Sequence, residues 1–157
     1  MSNISRKLSR KILFQMLYAD CFYKNDMPSF KESFFDGKFD FEIDEKYIKE
    51  MHWLIIAKQW VLAQIIKRYA PKFDVKKMHL SYVLPIYIGA TEMIYLQEEI
   101  PAKVSINEWI EIAKTYGDDS AKKIVNAVLN KIYENYDELK KEIDAIEPDT
   151  SFLLFVH

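Results

Sequence analysis

Glycine, cysteine and long apolar runs are scarce in this sequence, and each scarcity excludes something. Of 157 residues only Gly37, Gly89 and Gly117 are glycines. A phosphate-cradling loop needs clustered glycines so that backbone N–H groups can approach the anion, so a P-loop or dinucleotide site is excluded. Cys21 is the single cysteine, which rules out an intrachain disulfide and a thiolate metal site. His52, His79 and His157 have no Cys or His at metal-ligand spacing, so no metal is expected. No window holds 18 uncharged apolar residues, so no membrane span is expected. The basic start MSNISRKLSRK is not followed by an apolar run with a small-residue cleavage site, so no signal peptide is expected. Together these point to a reducing cytoplasm. No nucleophile-elbow motif is present, and no cofactor is called for.

What remains is ordinary for one globular domain. Half the residues are apolar and 29% are charged, with 10 Phe, 10 Tyr and 3 Trp, enough to build a sizeable core. The formal net charge is −2, so a nucleic-acid partner would have to be held by a local patch.

Helical periodicity dominates, which predicts an all-α fold. A first helix is expected over Ser5 to Tyr23, with Leu8, Ile12, Leu13 and Met16 on its apolar stripe. Pro28 opens a short helix to Phe35, and Gly37 to Ile43 reads as a loop. Asp44 is a good N-cap for a long helix to Tyr69, with Ile48, Met51, Ile55, Leu62, Ile65 and Tyr69 expected on its buried stripe. Ala70-Pro71 ends it and marks a seam between helical subdomains of about 1–71 and 72–143 in a single domain 1–157, with a tail 144–157.

A third long helix is expected over Ser81 to Gln97, with Pro85 in its first turn or kinking it. Ser105-Ile106-Asn107-Glu108 reads as a capping box, and Gly117 ends that helix. Asp118, Asp119 and Ser120 offer caps for a last long helix, whose stripe is Ile124, Val125, Val128, Leu129 and Ile132. Glu134 to Glu147 reads as a solvated helical extension. The apolar tail SFLLFVH is expected to dock on the body or on a partner.

The first helix is the informative element. Residues 1–19 contain Arg6, Lys7, Arg10 and Lys11 and no acid. At 100° per residue Lys7, Lys11, Phe14, Tyr18 and Phe22 share one side, flanked by Arg6 and Arg10. Cations with interleaved rings suit single-stranded RNA, which offers phosphates to hold and unpaired bases to stack. The plainer reading is that the rings are core and the cations are a solvated helix start.

The stretch Ile100 to Ile132, IPAKVSINEWIEIAKTYGDDSAKKIVNAVLNKI, resembles the C-terminal signature of the NusB family of transcription antitermination proteins. Arg10 with Gln15-Met16-Leu17-Tyr18 is similar to the family's first helix, and Ile86 to Met93 is a weaker match. The resemblance covers roughly residues 3–140. It implies a NusB-like fold of two packed helical subdomains and no covalent chemistry. It also implies binding of boxA-like single-stranded RNA from ribosomal RNA leaders together with NusE, a small-subunit ribosomal protein, within an RNA polymerase antitermination complex.

Residue by residue, the resemblance implies RNA contacts by Arg6, Lys7, Arg10, Tyr18, Asp119 and Lys123, and the acid-free basic face adds Lys11. It implies a partner surface at Tyr18, Tyr82, Tyr87 and Glu92. Tyr87 stands where the family usually has arginine, and Ile124 where an aromatic often lies near RNA. The rival reading on the same scaffold is an interaction protein or homodimer that masks the basic face. An RNA methyltransferase is disfavoured because no cofactor domain follows.

Overall fold

A computed structural model describes residues 6–22, 43–150 and 154–155. Among them the chain is all-helical. The elements are α1 (Arg6–Asp20), α2 (Glu45–Tyr69), α3 (Leu80–Tyr95), α4 (Ala102–Tyr116), α5 (Asp119–Glu134) and α6 (Tyr136–Glu142), followed by a 3-10 turn (Ile143–Ala145). The short helix expected after Pro28 and most of the loop that follows it lie outside the described residues.

α2 starts and stops as its sequence dictates. The Asp44 carboxylate accepts from the Tyr47 N–H at 3.0 Å, satisfying one of the free donors of the first turn. Asp44 is tied to α1 as well, since its own N–H donates to Ser9 Oγ at 2.8 Å. At 25 residues the helix is about 37 Å long, and Ile48, Met51, Ile55, Leu62 and Ile65 form its buried stripe, whereas Tyr69 in its last turn is only half-buried. It ends at Ala70, the residue before Pro71.

α3 is the central helix and packs against α1, α2, α4 and α5. Every residue from Val83 to Met93 is buried, so this helix has no solvent stripe, as its near-continuous apolar sequence requires. Pro85 lies in its second turn rather than its first. At Gly89 the Leu129 side chain of α5 packs close to the α3 backbone: a Cβ there would sit 2.8 Å from Leu129 Cδ1, so any larger residue would force Leu129 to shift.

α4 begins three residues before the expected capping box. Pro101 is its N-cap, and the Pro101 carbonyl accepts from Val104 and Ser105 N–H. Proline loses nothing at a helix start, where its missing N–H would have had no partner. Ser105 is therefore inside the helix and turned inward. Gly117 does end α4, but for lack of space rather than for a left-handed backbone: a Cβ would meet Ala121 Cβ at 2.8 Å.

The cap of α5 is Asp118, which accepts from Ala121 N–H at 2.8 Å; Asp119 is the first helical residue. Val125, Val128, Leu129 and Ile132 are buried. The charged extension is not one helix, because α5 stops at Glu134 and α6 buries Leu139. The tail docks on the body at Leu154 and Phe155, both buried. Their N–H groups donate to the buried side-chain carbonyl of Gln59 on α2, at 3.2 and 3.4 Å.

Candidate nucleic-acid interface

The residues expected to form one surface separate into a buried junction and an exposed face. The junction is centred on Glu92, the one acid of α3. Its carboxylate accepts from Arg10 Nε at 2.9 Å and Arg10 Nη2 at 3.0 Å, from Ser105 Oγ at 2.9 Å, from Trp109 Nε1 at 2.8 Å and from the Tyr47 hydroxyl. Four helices thus converge on one carboxylate that is 0% exposed. Burial disfavours charge on Arg10, but the bidentate bond to Glu92 outweighs it and raises the guanidinium pKa. Burial, reinforced by the Glu92 charge, pushes the Tyr47 phenol well above its ordinary value.

This arrangement corrects three expectations. Arg10 is 3% exposed, with its fork directed at Glu92, so it offers nothing to a phosphate. Glu92 is enclosed and cannot face a partner. Tyr87 is 1% exposed and packs edge-on to Phe155 at 6.4 Å, so it too leaves the partner surface. The helical wheel put Arg10 at the flank of a basic face but could not show that α3 and α4 cover that flank. The signal that could have found the junction is Glu92 itself: a lone charge in an otherwise apolar helix must be paired.

The exposed face runs along α1. Lys7 is exposed and pairs with Glu108 at 3.2 Å. Lys11 is half-buried and has no carboxylate within 4.0 Å among the described residues. Arg6 is partly committed, bonded to Asp44 at 3.0 Å and lying 4.6 Å over the Tyr47 ring. The three rings divide. Phe14 is core, stacked on Tyr116 at 4.6 Å, as the plainer reading held. Tyr18 and Phe22 are 42% and 63% exposed and lie 5.4 Å apart.

Beside Tyr18 is an open hollow of about 430 Å³ lined by Phe14, Gln15, Tyr116 and His79. Sequence reading missed Tyr116, which is exposed, stacks on Phe14 and accepts from Gln15 Nε2 at 3.1 Å. The hollow leads to the α4–α5 turn, where the Tyr82 hydroxyl donates to Asp118 at 3.1 Å. The Asp118 carboxyl is held below its usual range, first by the Ala121 N–H and further by Tyr82. Asp119 and Lys123 are exposed on the first turns of α5. Lys7, Lys11, Tyr18, Tyr82, Asp119 and Lys123 thus remain accessible, whereas Arg10, Tyr87 and Glu92 do not.

No helix among the described residues is long and apolar enough to cross a membrane. A family model described as the NusB family matches residues 7–134. A protein named transcription antitermination protein NusB from Caldicellulosiruptor saccharolyticus is 29% identical over 134 residues, covering 82% of this chain and 99% of its own. Proteins of the same name from Carboxydothermus hydrogenoformans and Ruminiclostridium cellulolyticum are 30% and 28% identical, covering 88% and 94% of this chain and 96% and 99% of theirs. No solved structure matches the chain.

Proposed function

The chain belongs to the NusB family, and from that membership we propose that it is a cytoplasmic, non-enzymatic transcription antitermination factor. In this reading it binds boxA-like single-stranded RNA of nascent ribosomal RNA transcripts together with NusE, and promotes read-through of terminators by RNA polymerase. The observation that supports it most is the α1 face, where Lys7 and Lys11 lie in line with the exposed rings of Tyr18 and Phe22. Lysines hold phosphates without regard to sequence, and the rings give unpaired bases a surface to stack on. Asp119 and Lys123 extend the surface onto α5. Tyr18 and Tyr82 supply its partner-facing residues.

The test is a titration of the full chain with boxA-like RNA, with and without NusE, across a salt series. Binding should tighten with NusE and weaken steeply with salt. Replacing Lys7 and Lys11 by Glu should weaken binding and reduce the log–log salt slope by about 0.7 for each phosphate that is no longer neutralised. Equal affinity of the folded variant and the parent would place the RNA elsewhere. A homodimer by sedimentation that binds no RNA would favour the interaction-protein reading.

A further inference from the structure

A second open hollow, of about 400 Å³, lies at the far end of α3 from the one beside Tyr18. Leu80 lines the first and Tyr95 the second, about 22 Å apart along the helix. α3, the loop after it, α6 and the 3-10 turn contribute its lining. Tyr95 and Tyr136 form part of it, together with the buried Leu96 and Leu139.

Its rim is acidic. Glu98, Glu99 and Asp144 line it, all exposed, and none has a Lys or Arg nitrogen within 4.0 Å among the described residues. By contrast, Asp44, Glu92, Glu108 and Glu142 are each paired with a Lys or Arg. Lys140 is the one basic residue in the lining. The bias extends beyond the hollow: no Lys or Arg occurs between Lys77 and Lys103, and residues 134–147 hold six acids against two lysines. The rings feel these carboxylates. Burial and then Asp144 raise the Tyr95 phenol above its ordinary pKa, and burial followed by Asp137 and Glu98 does the same for Tyr136. One of the chain's own cations is already held there, since Lys58 Nζ lies 5.7 Å over the Tyr95 ring.

We infer that this hollow docks an arginine side chain presented by a basic peptide segment of a protein partner. A guanidinium can stack on a tyrosine ring while its N–H fork meets carboxylates, which suits a hollow with rings inside and acids at the rim. RNA does not fit, because its phosphates would face three uncompensated carboxylates. A metal ion does not fit either: among the described residues no three His, Cys, Asp or Glu side chains are placed to hold one. Tyr18 and Tyr82 lie toward the other end of α3, so the hollow is separate from the surface proposed for RNA and its partner. The inference does not depend on the RNA assignment.

The experiment titrates the full chain, without RNA, with a fluorescein-labelled hexapeptide alternating arginine and glycine, and with the same peptide carrying lysine in place of arginine. Binding is read by anisotropy at low salt, and circular dichroism checks that each variant is folded. The arginine peptide is expected to bind about two- to fivefold more tightly than the lysine peptide, the gain a ring contact gives at an exposed site. Tyr136→Leu should remove that preference. Glu98→Gln/Asp144→Asn should weaken both peptides, whereas Glu134→Gln/Glu147→Gln, which removes the same charge outside the hollow, should leave them nearly unchanged. No binding by the parent, equal weakening by the two double variants, or an arginine preference retained by Tyr136→Leu overturns the inference. Self-association on sedimentation that Glu98→Gln/Asp144→Asn abolishes makes a second copy of the chain the occupant and overturns it as well.

Discussion

Glu92 shows how one residue can decide which others are free to act. Its carboxylate receives five hydrogen bonds from four side chains, and it holds Arg10 inside. Glu92→Gln keeps the shape but removes the bidentate partner of the buried Arg10, leaving only Glu108 at 3.7 Å as counter-charge, and the expected loss is about 3–5 kcal/mol. A simple buried pair can often be replaced by apolar residues at no cost. Here Arg10→Met/Glu92→Leu should not restore stability, because it strands the hydroxyls of Tyr47 and Ser105 and the indole N–H of Trp109. Urea denaturation of the three proteins checks this, and recovery in the double variant would show that the extra donors find other partners. Asp118 makes a second residue-scale case. Its folded pKa lies below the ordinary 3.8, so its contribution is complete above that value and is lost as pH falls through the folded pKa. Asp118→Ala should therefore lower Tm at pH 7, and the gap should close as pH falls below 3.8. A gap that stays constant down to about pH 2 would show that the carboxylate charge is not what caps α5.

At the scale of elements, α5 carries the sharpest test of packing. Leu129 is fully buried, and its methyl groups fill the space left by Gly89 on α3. Leu129→Ala should cost about 2–5 kcal/mol, read from the shift in denaturation midpoint; less than about 1 kcal/mol is what a surface site gives. The α5 stripe was legible because apolar residues at 125, 128, 129 and 132 admit one helical phase. α2 was legible because Asp44 and Pro71 punctuate it. The start of α4 was misread for an equally physical reason. Ser105 and Glu108 have capping-box spacing, but Pro101 begins the helix first, and both side chains are used by other helices: Ser105 by Glu92, and Glu108 by Lys7. On α1 the wheel gave the positions of Arg10, Phe14 and Tyr18 but not what lies over each. Burial of Arg10 and Phe14 beside exposed Tyr18 depends on where α3 and α4 pass, which is a tertiary fact.

At the scale of the whole molecule, the tail and the central helix are matched to each other. Leu154 and Phe155 lie beyond residues 7–134, where the family model matches, yet Phe155 is fully buried against Tyr87. Tyr87 stands where the resemblance leads one to expect arginine, a residue that a core position does not accept unpaired. The physical reading is that the tail covers this part of α3 and makes an aromatic residue favourable there, with the edge-on ring pair adding about 0.5–1.5 kcal/mol beyond area burial. Removing residues 148–157 should then expose Tyr87 and lower stability. Tyr87→Arg in the full chain should be severely destabilising, since it drives a cation under the docked tail. In the truncated chain the same substitution should cost much less, because the guanidinium can reach water. Urea denaturation of the four proteins closes a double-mutant cycle, in which contacting groups couple by about 0.5–3 kcal/mol. The sign is the decisive part: truncation and Tyr87→Arg together should cost less than the sum of the two alone. Strict additivity would mean that the tail and α3 are stable independently, and that the tyrosine at position 87 has another cause.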